Sequence, residues 1–149
     1  MHGVVAAVEL REITPESLHA VLDLAVAPEQ RQYVATNARP IAEAHFEPRA
    51  WFRAVYADEV PVGFVMAFRD PPNEFWVWRF MIDAGQQGRG YGRRALDLLV
   101  EAARADGMKE VKLSFHPGDD SPRDFYARFG FVETGELDGE EVVMRLALG

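Results

Sequence analysis

Glycines at alternate positions in Gln86-Gln87-Gly88-Arg89-Gly90-Tyr91-Gly92-Arg93 constrain this chain more than any other stretch. The segment joins an apolar, strand-like run, Phe75–Ile82, to a long helical run, Arg94–Asp106. Glycine frees the backbone to take positive φ and leaves no Cβ in the way of a ligand. A loop of this kind that opens a helix can turn its N–H groups toward one point. There they add to the positive end of the helix dipole and favour a phosphate. Arg89, Arg93 and Arg94 bring cationic side chains to the same place. The alternative is a tight strand-to-helix turn that needs glycine only for its geometry.

Around this loop the chain alternates between helical and strand patterns. Val4–Ile13 reads as a first strand whose alternation fails at Glu12 and Ile13. Thr14-Pro15-Glu16-Ser17 supplies an N-cap, a proline at the first helical position and an acidic first turn, and Leu18, Val21, Leu22 and Ala25 form the apolar stripe of a helix that Pro28 closes. Gln30–Pro48 predicts two short helices, Tyr33–Asn37 and Pro40–Glu47, joined near Ala38 and Arg39, with Ile41, Ala44 and His45 on one side of the second. Trp51–Tyr56 and Val60–Phe68 read as a hairpin about Ala57-Asp58-Glu59, and Asp70-Pro71-Pro72-Asn73 breaks the chain before the Phe75–Ile82 strand. After the loop, Leu96, Leu99, Val100 and Ala103 share one helix face and Gly107 stops the helix. Glu110–Phe115 is a strand and Arg123–Phe129 a short helix ended by Gly130. Phe131–Leu137 and Glu140–Leu148 flank an Asp138-Gly139 hairpin turn. The order predicts one mixed α/β domain over residues 1–149.

Several function classes are excluded by what the sequence lacks. A net charge of −8 is the wrong sign for a nucleic-acid partner and compatible with a cationic small substrate. No apolar run approaches the roughly 18 residues that span a bilayer, and the N-terminus lacks the pattern of a signal peptide, so a cytoplasmic protein without a membrane partner is expected. There is no cysteine for disulfides or thiolate chemistry. A dinucleotide fingerprint needs a third glycine where Arg93 stands, a Walker loop needs Gly-Lys-Ser/Thr, and no Gly-x-Ser-x-Gly elbow occurs. His2, His19, His45 and His116 form no ligand-spaced pair, so no metal site is expected.

Gln87-x-x-Gly90-x-Gly92 after a strand, followed by Phe125-Tyr126-x-x-x-Gly130-Phe131 with a strand between, resembles the GNAT superfamily of acetyl-CoA-dependent N-acetyltransferases over nearly the whole chain. More narrowly, Phe75–Asp83, the loop and Gly135–Glu140 look like the bacterial branch acting on diamines and polyamines such as spermidine. The resemblance implies a central mixed, mostly antiparallel sheet of about seven strands with helices on both faces. It also implies acetyl-CoA as cofactor, with the pyrophosphate held by the Gly88–Arg93 amides together with Gln87 and Tyr91, and with Arg89 and Arg93 adding charge. Phe80, Met81 and Ile82 would line the pantetheine arm, and the Glu110–Phe115 strand would diverge to leave a gap for the thioester. Three chemical needs follow: a deprotonated amine, a donor for the developing oxyanion and a proton for the departing thiolate. A backbone N–H near Met81 or Ile82 would serve the second and the phenol of Tyr126 the third; the alternative for Tyr126 is packing against the sheet.

Two positions depart from the family pattern. The asparagine common seven residues before the tyrosine, which in the family touches the cofactor arm, is Asp119 here, which accepts hydrogen bonds but cannot donate them when ionised. The strand glutamate many members use as general base is missing from Trp76-Val77-Trp78-Arg79, leaving Asp83, Glu74 or a water chain to bulk solvent. For the acceptor, the resemblance points to Glu43, Glu47, Glu133 and Glu141 as acids for a polycation, and Trp78, with Trp51 and Trp76, for cation–π contacts. The function expected is acetyl transfer to a small-molecule primary amine, a polyamine first, ahead of aminoglycoside-like or peptide amines. The competing expectation is an acyl-CoA-binding sensor or scaffold with little turnover. Homodimers are frequent in the family.

Overall fold

The computed structural model describes residues 7–26, 37–70 and 73–149. Its strands are β1 (Val8–Arg11), β2 (Ala50–Ala57), β3 (Val60–Asp70), β4 (Glu74–Ile82), β5 (Glu110–Phe115), β6 (Val132–Asp138) and β7 (Glu141–Ala147). They form a seven-stranded sheet in the order β1-β2-β3-β4-β5-β7-β6. Among these pairings only β4–β5 is parallel. The helices are α1 (Leu18–Leu22), α2 (Ala38–His45), α3 (Tyr91–Ala105) and α4 (Arg123–Phe129), and they cover both faces.

The two faces follow from side-chain periodicity. On one, Ala95, Leu96, Leu99, Val100 and Ala103 of α3 bury against Val65, Phe75, Val111 and Leu113. On the other, Val21 of α1 and Ala44 of α2 cover Ala54, Phe64 and Met66. The strand β3 is therefore buried on both sides, which explains a continuous apolar run from Val62 to Phe68 in place of alternation. Gly63 sits where β3 passes closest to its neighbours: a Cβ there would run into the Met81 carbonyl and against Val55. No helix among the described residues is long and apolar enough to cross a membrane.

Some boundaries differ from the sequence reading. The first helix spans only Leu18–Leu22 because Thr14 and Ser17 bond each other in the turn before it, so Pro15 lies outside it, and because the backbone of Ala25 is committed elsewhere. Its N–H donates to Asp83 Oδ1 at 2.9 Å and its carbonyl accepts from the Ala84 N–H at 2.8 Å. The join expected at Ala38 and Arg39 is instead the first turn of α2, with Pro40 inside it, where its missing N–H costs nothing. Of the three residues expected on one side of that helix, Ala44 is buried, Ile41 is half-buried and His45 is exposed. The expected helix Tyr33–Asn37 falls almost wholly outside the described residues, as does the start of the first strand. The long helix begins at Tyr91, so Gly92 and Arg93 are already helical. The last hairpin turns at Gly139-Glu140, one residue later than expected, and Thr134–Glu136 bulge out between the Glu133↔Met144 and Leu137↔Val142 pairs.

Candidate active site

The parallel ladder between β4 and β5 ends at Val77↔Leu113. Beyond it β4 stays with β3 as far as Ile82↔Gly63, while β5 stays with β7 as far as Phe115↔Val142, so the two strands part. The backbone of residues 78–82 that faces β5 is left without a strand partner. A bulge sits at the fork: Ala67 pairs with Val77 and Met66 with Arg79, so Trp78 is the extra residue. The fork opens into a cleft of about 520 Å³, ample for an extended ligand.

One end of the cleft is the glycine loop. Gly88 and Gly90 have φ of 80° and 82°, and a Cβ on either would meet nothing within 4 Å, so backbone conformation, not packing, demands glycine. Gly90 caps α3 without any side-chain hydrogen bond, and the first turn has no acid. The Arg94 N–H is the first to find the helix ladder, at 3.2 Å from the Gly90 carbonyl, which leaves the amides of Tyr91, Gly92 and Arg93 without intrahelical acceptors. Gln87 pins the loop to the strand by donating to the Ile82 carbonyl at 2.9 Å. Arg93 lies over the ring of Phe129, 4.7 Å from its centroid. A doubly anionic pyrophosphate fits this uncapped helix terminus, and an extended amide chain fits the unpaired strand edge beside it.

Of the residues the sequence assigned to the cofactor, Phe80, Met81 and Ile82 form the strand wall, Gln87, Gly88, Gly90, Tyr91, Gly92 and Arg93 the loop end, and Tyr126 the helix wall. Arg89 and Asp119 are exposed and lie outside the lining; Asp120 and Ser121 take the place expected for Asp119.

Tyr126 is only 7% exposed, on α4, between the rings of Phe80, Phe115, Phe125 and Phe131 at centroid distances of 5.3 to 6.5 Å. No hydrogen bond within the described residues takes up its hydroxyl, and no buried polar side-chain atom there lacks a partner, so the hydroxyl opens onto the cleft. Burial pushes the phenol pKa up, keeping it protonated. Packing and chemistry are thus compatible: the ring fills the core and its polar tip reaches the site.

The acids expected near the acceptor do not line the cleft. Glu43 faces Arg39 at 3.4 Å, Glu47 bonds the Arg49 N–H and guanidinium, and Glu133 faces Arg123 at 3.4 Å. Glu141 accepts from the hydroxyl of Ser114, itself a wall residue, at 2.8 Å and sits 3.6 Å from His116. Of the possible bases, Glu74 lies at the closed end of the fork, bonded to Lys112, which holds its carboxyl below the usual range, and to the Trp76 indole N–H. Asp83 is engaged by the Ala25 amide. Trp51 is buried against Phe75 in the core, whereas Trp78 is 49% exposed on the cleft, close to Phe68.

Arg79 was not singled out by sequence, although a lone cation amid the aromatic run Phe75–Ile82 is a visible signal. It is 8% exposed and lines the cleft. Its Nε donates to Oδ1 of Asn37 at 3.1 Å; the Asn37 Nδ2 donates to the Val21 carbonyl at 2.9 Å. No carboxylate pairs with it among the described residues, and burial pushes its pKa down to about 10. Among the described residues no group of three or more His, Asp or Glu side chains is arranged to hold a metal.

Comparison with known proteins agrees with this geometry. The family model described as the acetyltransferase (GNAT) family matches residues 35–131. The spermine/spermidine N(1)-acetyltransferase of Bacillus subtilis is 28% identical over 93% of this chain and 97% of its own. The fold is that of the PaiA N-acetyltransferase of Thermoplasma acidophilum solved with coenzyme A, with a TM-score of 0.74, 17% identity and coverage of 95% of this chain and 99% of that one. It is also that of an aminoglycoside 6'-N-acetyltransferase solved with coenzyme A, with a TM-score of 0.75, 14% identity and coverage of 96% and 97%.

Proposed function

The chain belongs to the GNAT acetyltransferase family, and from that premise we propose that it moves the acetyl group of acetyl-CoA to a primary amine of a small molecule, with polyamines such as spermidine as the acceptor class. The observation that carries this reading is the meeting, on one cleft, of a partnerless strand edge, an uncapped helix N-terminus and a buried phenol. Bound acetyl-CoA supplies a thioester whose carbonyl carbon a neutral amine attacks directly. The amides of Tyr91, Gly92 and Arg93, with Arg93 beside them, hold the pyrophosphate. The free edge at residues 78–82 accepts and donates backbone hydrogen bonds along the pantetheine arm, and an N–H near Met81 or Ile82 takes the charge that grows on the carbonyl oxygen. The C–N bond forms as the C–S bond breaks. Tyr126 hydrogen-bonds the leaving sulfur and passes its proton there, and solvent restores it; the proton released by nitrogen goes to solvent.

The polyamine assignment is supported by the likeness to the spermine/spermidine N(1)-acetyltransferase of Bacillus subtilis and by the net charge of −8. Trp78 presents an aromatic face to a cationic acceptor, and Glu43, Glu47, Glu133 and Glu141 attract it from outside the cleft. The same reading is compatible with a cytoplasmic enzyme that has neither nucleic acid nor membrane as partner, and the family resemblance allows a homodimer. Absence of a carboxylate from the β4 wall favours one second reading, an acyl-CoA-binding protein with little turnover. A thiol-release assay with acetyl-CoA against spermidine, spermine, putrescine, an aminoglycoside and a peptide amine tests both. Turnover that is fastest with a polyamine supports the enzyme, and coenzyme A binding without turnover on any amine supports the sensor.

A further inference from the structure

The wall residue on β4 that carries charge is a cation. Phe80 and Ile82 face α3 and the glycine loop, whereas Met81, and Arg79 through its bond to Asn37, face the side covered by α1 and α2. The guanidinium donates its Nε–H to Asn37, and the residue lines the cleft. Among the described residues the elements packed around it bring no countercharge: Asn37 at the N-cap of α2, Val21 from α1, Met66 from β3 and Met81 from its own strand are neutral. On the cleft itself the other charged side chains are Arg93 and Asp120, and the other titratable ones Tyr91 and Tyr126. A protein that buries a charge without a partner does so against its solvation, and such a charge acts strongly on whatever enters beside it.

We propose that Arg79 does the work of the missing base by electrostatics: it makes the ammonium form of the bound acceptor unfavourable, so that the amine sheds its proton to solvent before attack. The inference rests on the reading of the acceptor as an amine. A like charge disfavours the charged form of a neighbour, and lysines beside cationic groups are activated in the same way. A cation about 8 Å from an ammonium at an effective dielectric constant of about 20 lowers its pKa by about 1.5 units, from about 10.4 to about 9. The neutral fraction of bound amine near pH 7.5 then rises by about thirtyfold, and the ammonium binds more weakly by the same factor. Arg79 does not take the proton; it changes which form of the amine the site holds.

Two variants separate this from a structural role. Arg79→Gln removes the charge yet can still donate to Asn37, and Arg79→Lys keeps the charge. Steady-state kinetics with spermidine from pH 7 to 10.5 should show kcat and the spermidine KM of Arg79→Gln falling together by up to about thirtyfold at pH 7.5, with kcat recovering toward wild type by pH 10.5, and Arg79→Lys restoring wild-type values only at the acid end of the range, because the burial that lowers the guanidinium pKa lowers that of an ammonium too. Calorimetry at pH 9 gives a reading independent of turnover. Spermidine titrated into the coenzyme A-saturated protein, in two buffers of different ionisation enthalpy, should release about half a proton per molecule bound by wild type and close to none by Arg79→Gln. Equal proton release by the two proteins, or none by wild type, overturns the proposal even if Arg79→Gln folds poorly. A rise in KM for Arg79→Gln also overturns it and would mark Arg79 as a ligand for an anionic group on the acceptor. If wild type neither binds nor acetylates any amine, the amine reading itself fails and takes this one with it.

Discussion

A phenol at its ordinary pKa of about 10 already holds its proton in the working range, and burial of the Tyr126 ring among its aromatic neighbours raises that pKa further. Tyr126→Phe keeps the packing and removes only the hydroxyl, so kcat should fall by about a hundredfold with the acetyl-CoA KM within about twofold of wild type; unchanged turnover would remove Tyr126 from the chemistry. The same burial links to stability. The folded-state pKa lies above that of a free phenol, so the contribution is full below about pH 10 and is lost as pH rises through the folded value. Thermal melts between pH 9 and 11 should therefore show Tyr126→Phe losing less Tm on the alkaline side than wild type does. Tyr126 was legible in the sequence because it stands in a motif. Arg79 was not, because its orientation depends on the bulge at Trp78. Strict alternation from Phe75 would aim Arg79 into the α3 core, and the extra residue turns Arg79 and Met81 to the other face while Phe80 and Ile82 rejoin Phe75 and Val77.

At the scale of elements, the loop and the helix it opens behave as one unit, since Gly90 is at once the last loop residue and the cap of α3. Gly90→Ala meets no clash but forces an alanine to a φ of 82°. It should cost about 1–2 kcal/mol in urea denaturation and raise the acetyl-CoA KM, because the freed amides shift with the cap. The elements whose bounds were read correctly from sequence, β5 and α4, and α3 apart from its first turn, are those whose apolar spacing is strict and whose ends carry glycine or proline signals. Those misread were decided by partners far along the chain. The first helix stops early because Ala25 bonds to Asp83 and Ala84, and α2 starts where Asn37 ties its N-terminus to Val21 and Arg79. No local pattern records such commitments.

For the molecule as a whole, the sheet is two half-sheets, β1–β4 and β5–β7, joined by the four residue pairs from Glu74↔Glu110 to Val77↔Leu113. A ligand lying in the fork supplies rungs the ladder lacks. Coenzyme A at 100 times its dissociation constant should stabilise the fold by about 2.7 kcal/mol, a Tm rise of about 5–10 °C for a chain of this size. Amide exchange at residues 78–82 should slow in the same complex; an unchanged exchange pattern there would mean the arm binds elsewhere. The strand order that produces the fork was not readable from periodicity, which places strands without pairing them, and came into view only through the resemblance carried by the loop and Tyr126. The fork also bears on how such a chain can change over time. On the proposed function, the donor would be held mainly by main-chain groups, the first-turn amides of α3 and the edge of β4, which most substitutions leave in place. The acceptor would meet side chains such as Trp78 and Arg79, which a single substitution replaces. Mutation could then re-tailor what is acetylated while the source of the acetyl group stays fixed.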